Sequence, residues 1–102
     1  MTSARMPPAE RKAQLIAAAV RVAARDGYAH MTREAVALAA DVSPGLVSRY
    51  LGTMIALRRT VMRAAVKQGV VRVIAQGLAA RDPYALKAPD SLRQAAAQTL
   101  AS

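Results

Sequence analysis

Two short helix signals separated by a tight turn lie between Met31 and Leu57, and they constrain this sequence more than any other feature. Thr32 is a favourable N-cap for the first helix, which carries apolar residues on one face. Ser43 offers a second N-cap, and Pro44 follows at the first helical position, where its missing N–H and fixed φ cost nothing. Gly52 is placed to end the second helix. The spacing predicts a helix-turn-helix, a unit whose second helix can enter the major groove of DNA.

A longer helix is predicted before this unit. Pro7 and Pro8 mark its start, and the pair Asp26-Gly27 marks its end. Apolar residues make up 54% of the 102 residues and aromatic residues only 3%, and no segment alternates between apolar and polar residues. This composition favours an all-α protein whose core consists of small aliphatic side chains.

The second half of the chain is predicted to contain one long helix and one short one. Thr53 caps a helix that extends to about residue 80, and Gly69 and Gly77 are the two positions at which it can break. A loop is expected over 84–89 and a last helix over 91–100. The predicted fold is therefore all-α, with a three-helix helix-turn-helix head followed by a long helix and one short C-terminal helix.

The long helix has apolar residues on two faces. One face suits the preceding three helices, whereas the second has no partner in a three-helix head and would be exposed. We therefore predict a homodimer whose interface contains Met62, Val66, Val70, Val73 and Ile74. The corresponding division of the chain is a flexible basic arm over 1–7, a DNA-binding head over 8–60 and a helical dimerisation segment over 61–102.

The charge of the chain predicts a polyanionic partner. Fifteen Lys and Arg residues against six Asp and Glu residues give a net charge of +9. From Val42 through Arg81 there is no acidic residue, and Arg59, Arg63 and Lys67 recur at helical spacing. Double-stranded DNA is the partner that best fits this charge together with a helix-turn-helix.

Several other classes of protein are disfavoured. The chain has no cysteine and one histidine, His30, and its carboxylates lie mostly at helix ends, so we expect no enzyme, no cofactor and no metal site. No apolar run approaches the roughly 18–20 residues that span a bilayer, and no secretory signal is present, so we expect a cytoplasmic protein. A basic helix lying on a membrane surface is disfavoured because Trp and Phe are missing.

The sequence resembles the N-terminal DNA-binding domain of TetR-type repressors over about residues 10–60. Several motif elements occur in order with matching separations, namely Leu15-Ile16-Ala17-Ala18-Ala19, Gly27-Tyr28, Met31-Thr32 and the run from Val42 to Leu51. The resemblance implies a repressor that binds a palindromic operator as a dimer. The length of the chain resembles small plasmid and phage repressors such as the KorC type, so we expect no full ligand-sensing domain and no small-molecule inducer.

The resemblance also implies which residues touch DNA. Thr32 and Arg33 would lie at the groove edge, and Tyr50 and Thr53 would reach phosphate. The residues that would face bases are Pro44, Gly45, Ser48 and Arg49, with Ser43 at the start of the same helix. Arg49 is suited to a bidentate contact with guanine.

Two residues depart from the family pattern. Ser48 stands where relatives usually have Tyr, and Met54 stands where they often have Lys; both positions commonly contact phosphate. Each of these residues also has a purely structural interpretation. Ser43 and Thr53 would only cap helices, Tyr50 would only belong to the core, and Arg49 would only be a solvated charge. A different functional class, a nonspecific architectural nucleic-acid-binding protein, would also explain the positive charge.

Overall fold

The structure is a computed structural model that describes residues 6–101, and this part of the chain is helical without strands. Its helices are α1 (Pro8–Asp26), α2 (Arg33–Ala40), α3 (Pro44–Leu51), α4 (Met54–Gln68), α5 (Val71–Ala79), α6 (Pro83–Leu86) and α7 (Asp90–Ala101). The all-α prediction is confirmed. The basic arm predicted over 1–7 falls mostly on residues outside the described range.

Helices α1, α2 and α3 form the head, and their ends follow the predicted caps. Pro8 occupies the first turn of α1, and Gly27 ends that helix with a positive φ of 103°. Thr32 Oγ1 accepts a hydrogen bond from Ala35 N (3.0 Å) at the start of α2, and Ser43 Oγ accepts one from Leu46 N (3.2 Å) at the start of α3. These local signals fix the helix-turn-helix.

The predicted long helix is divided at Gly69. This residue ends α4 with a left-handed φ of 72°, and the next N–H, that of Val70, donates to the Ala65 carbonyl over 2.8 Å. This is a glycine C-cap, in which a residue without a Cβ adopts the left-handed region at no steric cost. Helix α5 then begins at Val71 and packs against α4, α6 and α7.

Gly77, the other predicted break point, lies inside α5 and serves close packing instead. A Cβ on Gly77 would lie 2.4 Å from Met62 Cε and 2.8 Å from Ala85 Cβ. Helices α4, α5 and α6 therefore meet at this glycine. The loop predicted over 84–89 also contains part of α6, because Asp82 caps that helix by accepting from the backbone N–H groups of Tyr84 and Ala85.

The predicted dimer interface is wrong for three of its five residues. Met62, Val73 and Ile74 are fully buried within the single chain, while Val66 and Val70 are half-buried. The prediction assumed one continuous helix with an uncovered second face. Because the chain breaks at Gly69, α5 folds against α4, and α6 and α7 cover the apolar surface that was assigned to a partner.

One hydrophobic cluster joins the head to the later helices. It includes Leu15 of α1, Val36 of α2, Val47 of α3, Leu57 of α4 and Ile74 of α5, all with no exposed surface. The predicted division at residue 60 falls within α4. The head and the later helices therefore share one hydrophobic core.

Candidate nucleic-acid interface

The solvent-exposed face of helix α3 carries small residues and one basic residue, Arg49. Its opposite face is anchored by Val47, which is fully buried, and by Leu51, which is 5% exposed. Pro44, Gly45 and Arg49 are exposed, and Ser48 is half-buried. A Cβ at Gly45 would meet only Ser43 Oγ, at 3.9 Å, so this side of the helix is open. Short side chains allow a helix to approach base edges closely, and one long cation beside them can reach a guanine.

The turn between α2 and α3 is closed by a helix C-cap that sets the angle of α3. Asp41 adopts a left-handed conformation with φ 58°, and Val42 N donates to the Ala37 carbonyl over 3.0 Å. The end of α2 is also tied to α1, because Gln14 Nε2 donates to the Ala40 carbonyl over 3.2 Å. Arg11 donates in turn to Gln14 Oε1 over 2.8 Å. The position of α3 is therefore determined by packing together with a short polar chain from α1.

Three predicted contact residues share one geometry. Thr32, Ser43 and Thr53 are the N-caps of α2, α3 and α4, and all three are exposed. Each side-chain oxygen accepts a backbone N–H three residues later, at 3.0, 3.2 and 3.1 Å. A hydroxyl that accepts with one lone pair still has its own O–H to donate. Capping and phosphate binding are therefore compatible at these positions, and neither excludes the other.

Arg33 and Tyr50 occupy the margins of this surface. The Nε of Arg33 is buried and has no hydrogen-bond partner among the described residues, although the residue as a whole is half-buried. Tyr50 is half-buried and packs against the core, so part of its role is structural. The same holds for Met54, which is half-buried against the core. Its side chain has no N–H or O–H donor, so Met54 cannot make the phosphate contact that a lysine could make at this position.

The basic residues of α3 and α4 form no ion pairs within the described part of the chain. Within residues 6–101 the ion pairs are Arg25 with Asp26 and Arg93 with Asp90, and neither lies on α3 or α4. Arg49, Arg59 and Arg63 therefore face solvent without a carboxylate partner in this part of the chain. Exposed cations without a carboxylate partner favour binding to a phosphate backbone.

One polar connection between the head and the later helices was not predicted from the sequence. Tyr28, which is 7% exposed, donates from its backbone N–H to Gln76 Oε1 over 2.8 Å and from its hydroxyl to Asp82 Oδ2 over 2.5 Å. Burial of the ring, followed by the hydrogen bond to Asp82, raises the pKa of the Tyr28 phenol above its ordinary range. The contact joins residues 54 positions apart, and no local sequence pattern predicts a contact of this kind.

In the described part of the chain, no three His, Asp or Glu residues lie close enough together to hold a metal ion. None of the helices described is both long and apolar enough to cross a membrane.

Comparison with known proteins yields one match. The model of the family "Bacterial regulatory proteins, tetR family" matches residues 15–61, which run from α1 into α4 and contain the whole helix-turn-helix. No curated protein and no solved structure matches the chain. The matched segment contains every exposed residue of α3 described above.

Proposed function

We propose that this protein is a DNA-binding transcription regulator that acts as a repressor, because residues 15–61 match the model of a family of bacterial regulatory proteins and contain the helix-turn-helix. We further propose that it acts in the cytoplasm on a palindromic operator, as a homodimer. The observation that carries the proposal is the exposed face of α3, where Arg49 stands beside small side chains while Val47 and Leu51 anchor the helix.

The proposed contacts divide into two classes. Direct contacts with base edges come from Pro44, Gly45, Ser48 and Arg49, and Arg49 is the one long donor among them. Contacts with the phosphate backbone come from the exposed caps and the margins of the surface, namely Thr32, Arg33, Ser43, Tyr50 and Thr53. The first class selects a sequence, and the second fixes the register of the head on the duplex.

The dimer is proposed from the requirements of DNA binding rather than from the second apolar face of the predicted long helix. One head offers a single recognition helix, which reads only a few base pairs of one half-site. A second copy related by a two-fold axis would read the other half-site and double the phosphate contacts. Val66 and Val70 keep part of their surface exposed, unlike the three buried residues of the predicted interface.

A second candidate function is supported by the charge alone. A net charge of +9 would let the protein coat DNA without reading its sequence. The two functions differ in what they require of α3, because coating DNA needs neither an open helix face nor a fixed helix angle.

Selection of bound duplexes from a random library, followed by footprinting, separates the two. A repressor of the proposed kind enriches one inverted repeat, and its footprint protects that site alone. Enrichment of no sequence, or protection that spreads uniformly along the duplex, would support the architectural binder and contradict our proposal.

A further inference from the structure

An open groove of about 570 Å³ lies between α1 and α4. Lys12 and Ile16 line it from α1, and Arg63, Val66 and Lys67 line it from α4. The spacing of three and four residues on each helix places these side chains in two rows along the groove. A groove between two packed helices has the shape into which the side chains of a third helix fit.

The floor of the groove is apolar. Ile16, Ala64 and Val66 pack against the core, yet each keeps part of its surface exposed. Tyr84 of α6 adds an aromatic ring to the lining and is 42% exposed. Apolar side chains that covered this floor would remove its surface from water, which is favourable.

The walls of the groove carry cations. Lys12, Arg63 and Lys67 are exposed, and none of them forms an ion pair among the described residues. No carboxylate lines the groove within this part of the chain. An apolar floor between cationic walls complements a helix that has an apolar stripe flanked by carboxylates.

The chain itself contains no helix of this kind. It has six acidic residues, and the closest two, Glu34 and Asp41, lie at opposite ends of α2. Residues 1–5, which lie outside the described range, contain one Arg and no acidic residue. The charge of the groove is therefore matched neither by a second copy of the chain nor by its N-terminal residues.

We propose that this groove binds an acidic amphipathic helix of another protein, whose apolar stripe packs on Ile16 and Val66 and whose carboxylates pair with Lys12 and Lys67. Insertion of an amphipathic helix into an apolar groove is a recurring mode of peptide recognition. The inference goes beyond the proposed function and does not require it, because binding of an acidic helix is measurable in the absence of DNA.

DNA is the competing class of partner for these cations. Lys67 lies near the C-terminal end of α4, whereas Thr53, which we propose contacts phosphate, caps the N-terminal end, so about 20 Å of helix separates the two. A phosphate backbone would also leave the apolar floor unused, because its contacts are charge pairs and hydrogen bonds. Both observations favour the acidic helix.

A pair of labelled peptides tests the proposal on the full chain at physiological salt. The first consists of three LEELLEE repeats, which place Leu on one helical face and Glu on the others. The second has the same composition, but its Leu residues are distributed around the helix. We expect the first peptide to bind about tenfold more tightly, because only its Leu residues can cover the floor together. Equal affinities for the two peptides would overturn the proposal.

Matched double variants locate the site. Lys12→Gln with Lys67→Gln should weaken binding of the first peptide about tenfold, because both walls lose a cation. Arg21→Gln with Arg72→Gln removes two exposed charges outside the groove and should change this affinity much less. Equal effects of the two double variants would reduce the binding to net charge and overturn the proposal.

The same two double variants separate an acidic helix from DNA. Both should weaken binding of random duplex DNA to the same extent, because each removes two positive charges. If the Lys12 and Lys67 changes weakened duplex binding more than the control changes and left peptide binding unchanged, the proposal would be overturned and these cations would be assigned to phosphate.

Discussion

The hydroxyl of Tyr28 donates a 2.5 Å hydrogen bond to Asp82 Oδ2, and this bond joins the segment before α2 to the cap of α6. The backbone N–H of the same tyrosine donates to Gln76 of α5. One residue thus links the head to two of the C-terminal helices. Because Asp82 also caps α6, loss of this carboxylate would disturb both the head and the start of α6.

Replacement of Tyr28 by Phe should lower the free energy of unfolding by about 1–2 kcal/mol, since a part-buried hydrogen bond to a carboxylate is lost while the ring is kept. Urea titration followed by circular dichroism measures this loss. Tyr50→Phe is the control, because the Tyr50 hydroxyl makes no hydrogen bond among the described residues. Equal losses in the two variants would show that the Tyr28–Asp82 bond contributes nothing specific.

The same bond predicts how stability depends on alkaline pH. Burial and the Asp82 hydrogen bond raise the pKa of Tyr28 in the folded protein, so its neutral form is favoured on folding. This contribution is fully present below the unfolded pKa of about 10 and is lost as pH rises above that value. The advantage of the wild type over Tyr28→Phe should therefore shrink in urea titrations above about pH 10. An advantage that stays constant or grows there would contradict the account.

Gly77→Ala should destabilise the protein by about 1–3 kcal/mol, because the new Cβ would overlap Met62 Cε and Ala85 Cβ. Gly45→Ala is the matched control in an open part of α3 and should be neutral, or stabilising by up to about 1 kcal/mol. Thermal unfolding of both variants checks the contrast. A stabilised Gly77→Ala variant would mean that α5 does not approach α4 and α6 this closely.

The helix-turn-helix could be predicted from sequence because its determinants are local. Thr32, Ser43 and Pro44 specify helix starts through their own backbone geometry, and the structure confirms each start. The break after α4 was harder to place, because Gly69 and Gly77 have the same intrinsic cost in a helix. Only tertiary packing distinguishes them, since Gly77 is held inside a helix by close neighbours and Gly69 is not.

Features that depend on distant contacts escaped prediction. An apolar face on α4 is equally consistent with a partner subunit and with a later segment of the same chain, and the burial of Met62 and Ile74 shows the latter. A cleft between α4 and α6 was missed for the same reason, because its lining includes Ile55 and Tyr84, which lie about 30 positions apart. The residues proposed to touch DNA were all found from sequence, and their roles stay predictions.

The proposed homodimer predicts how many copies of the protein bind one operator duplex. Sedimentation of the protein with its selected operator should give two copies per palindromic duplex, since each recognition helix reads one half-site. A duplex that carries a single half-site is the control, and it should bind one copy with much lower affinity. One copy on the full palindrome would contradict the dimer while leaving DNA binding by α3 intact.

The central claim is that α3 reads DNA sequence through Arg49, and the ratio of operator affinity to random-duplex affinity at one salt concentration tests it most directly. Arg49→Ala should weaken operator binding by about 1–3 kcal/mol and relax the preference at one base position per half-site, with a much smaller effect on random duplex. Arg72→Ala, the charge-matched control on α5, should leave the ratio unchanged. Equal weakening of operator and random duplex by Arg49→Ala would contradict the claim, because it would make Arg49 a phosphate contact.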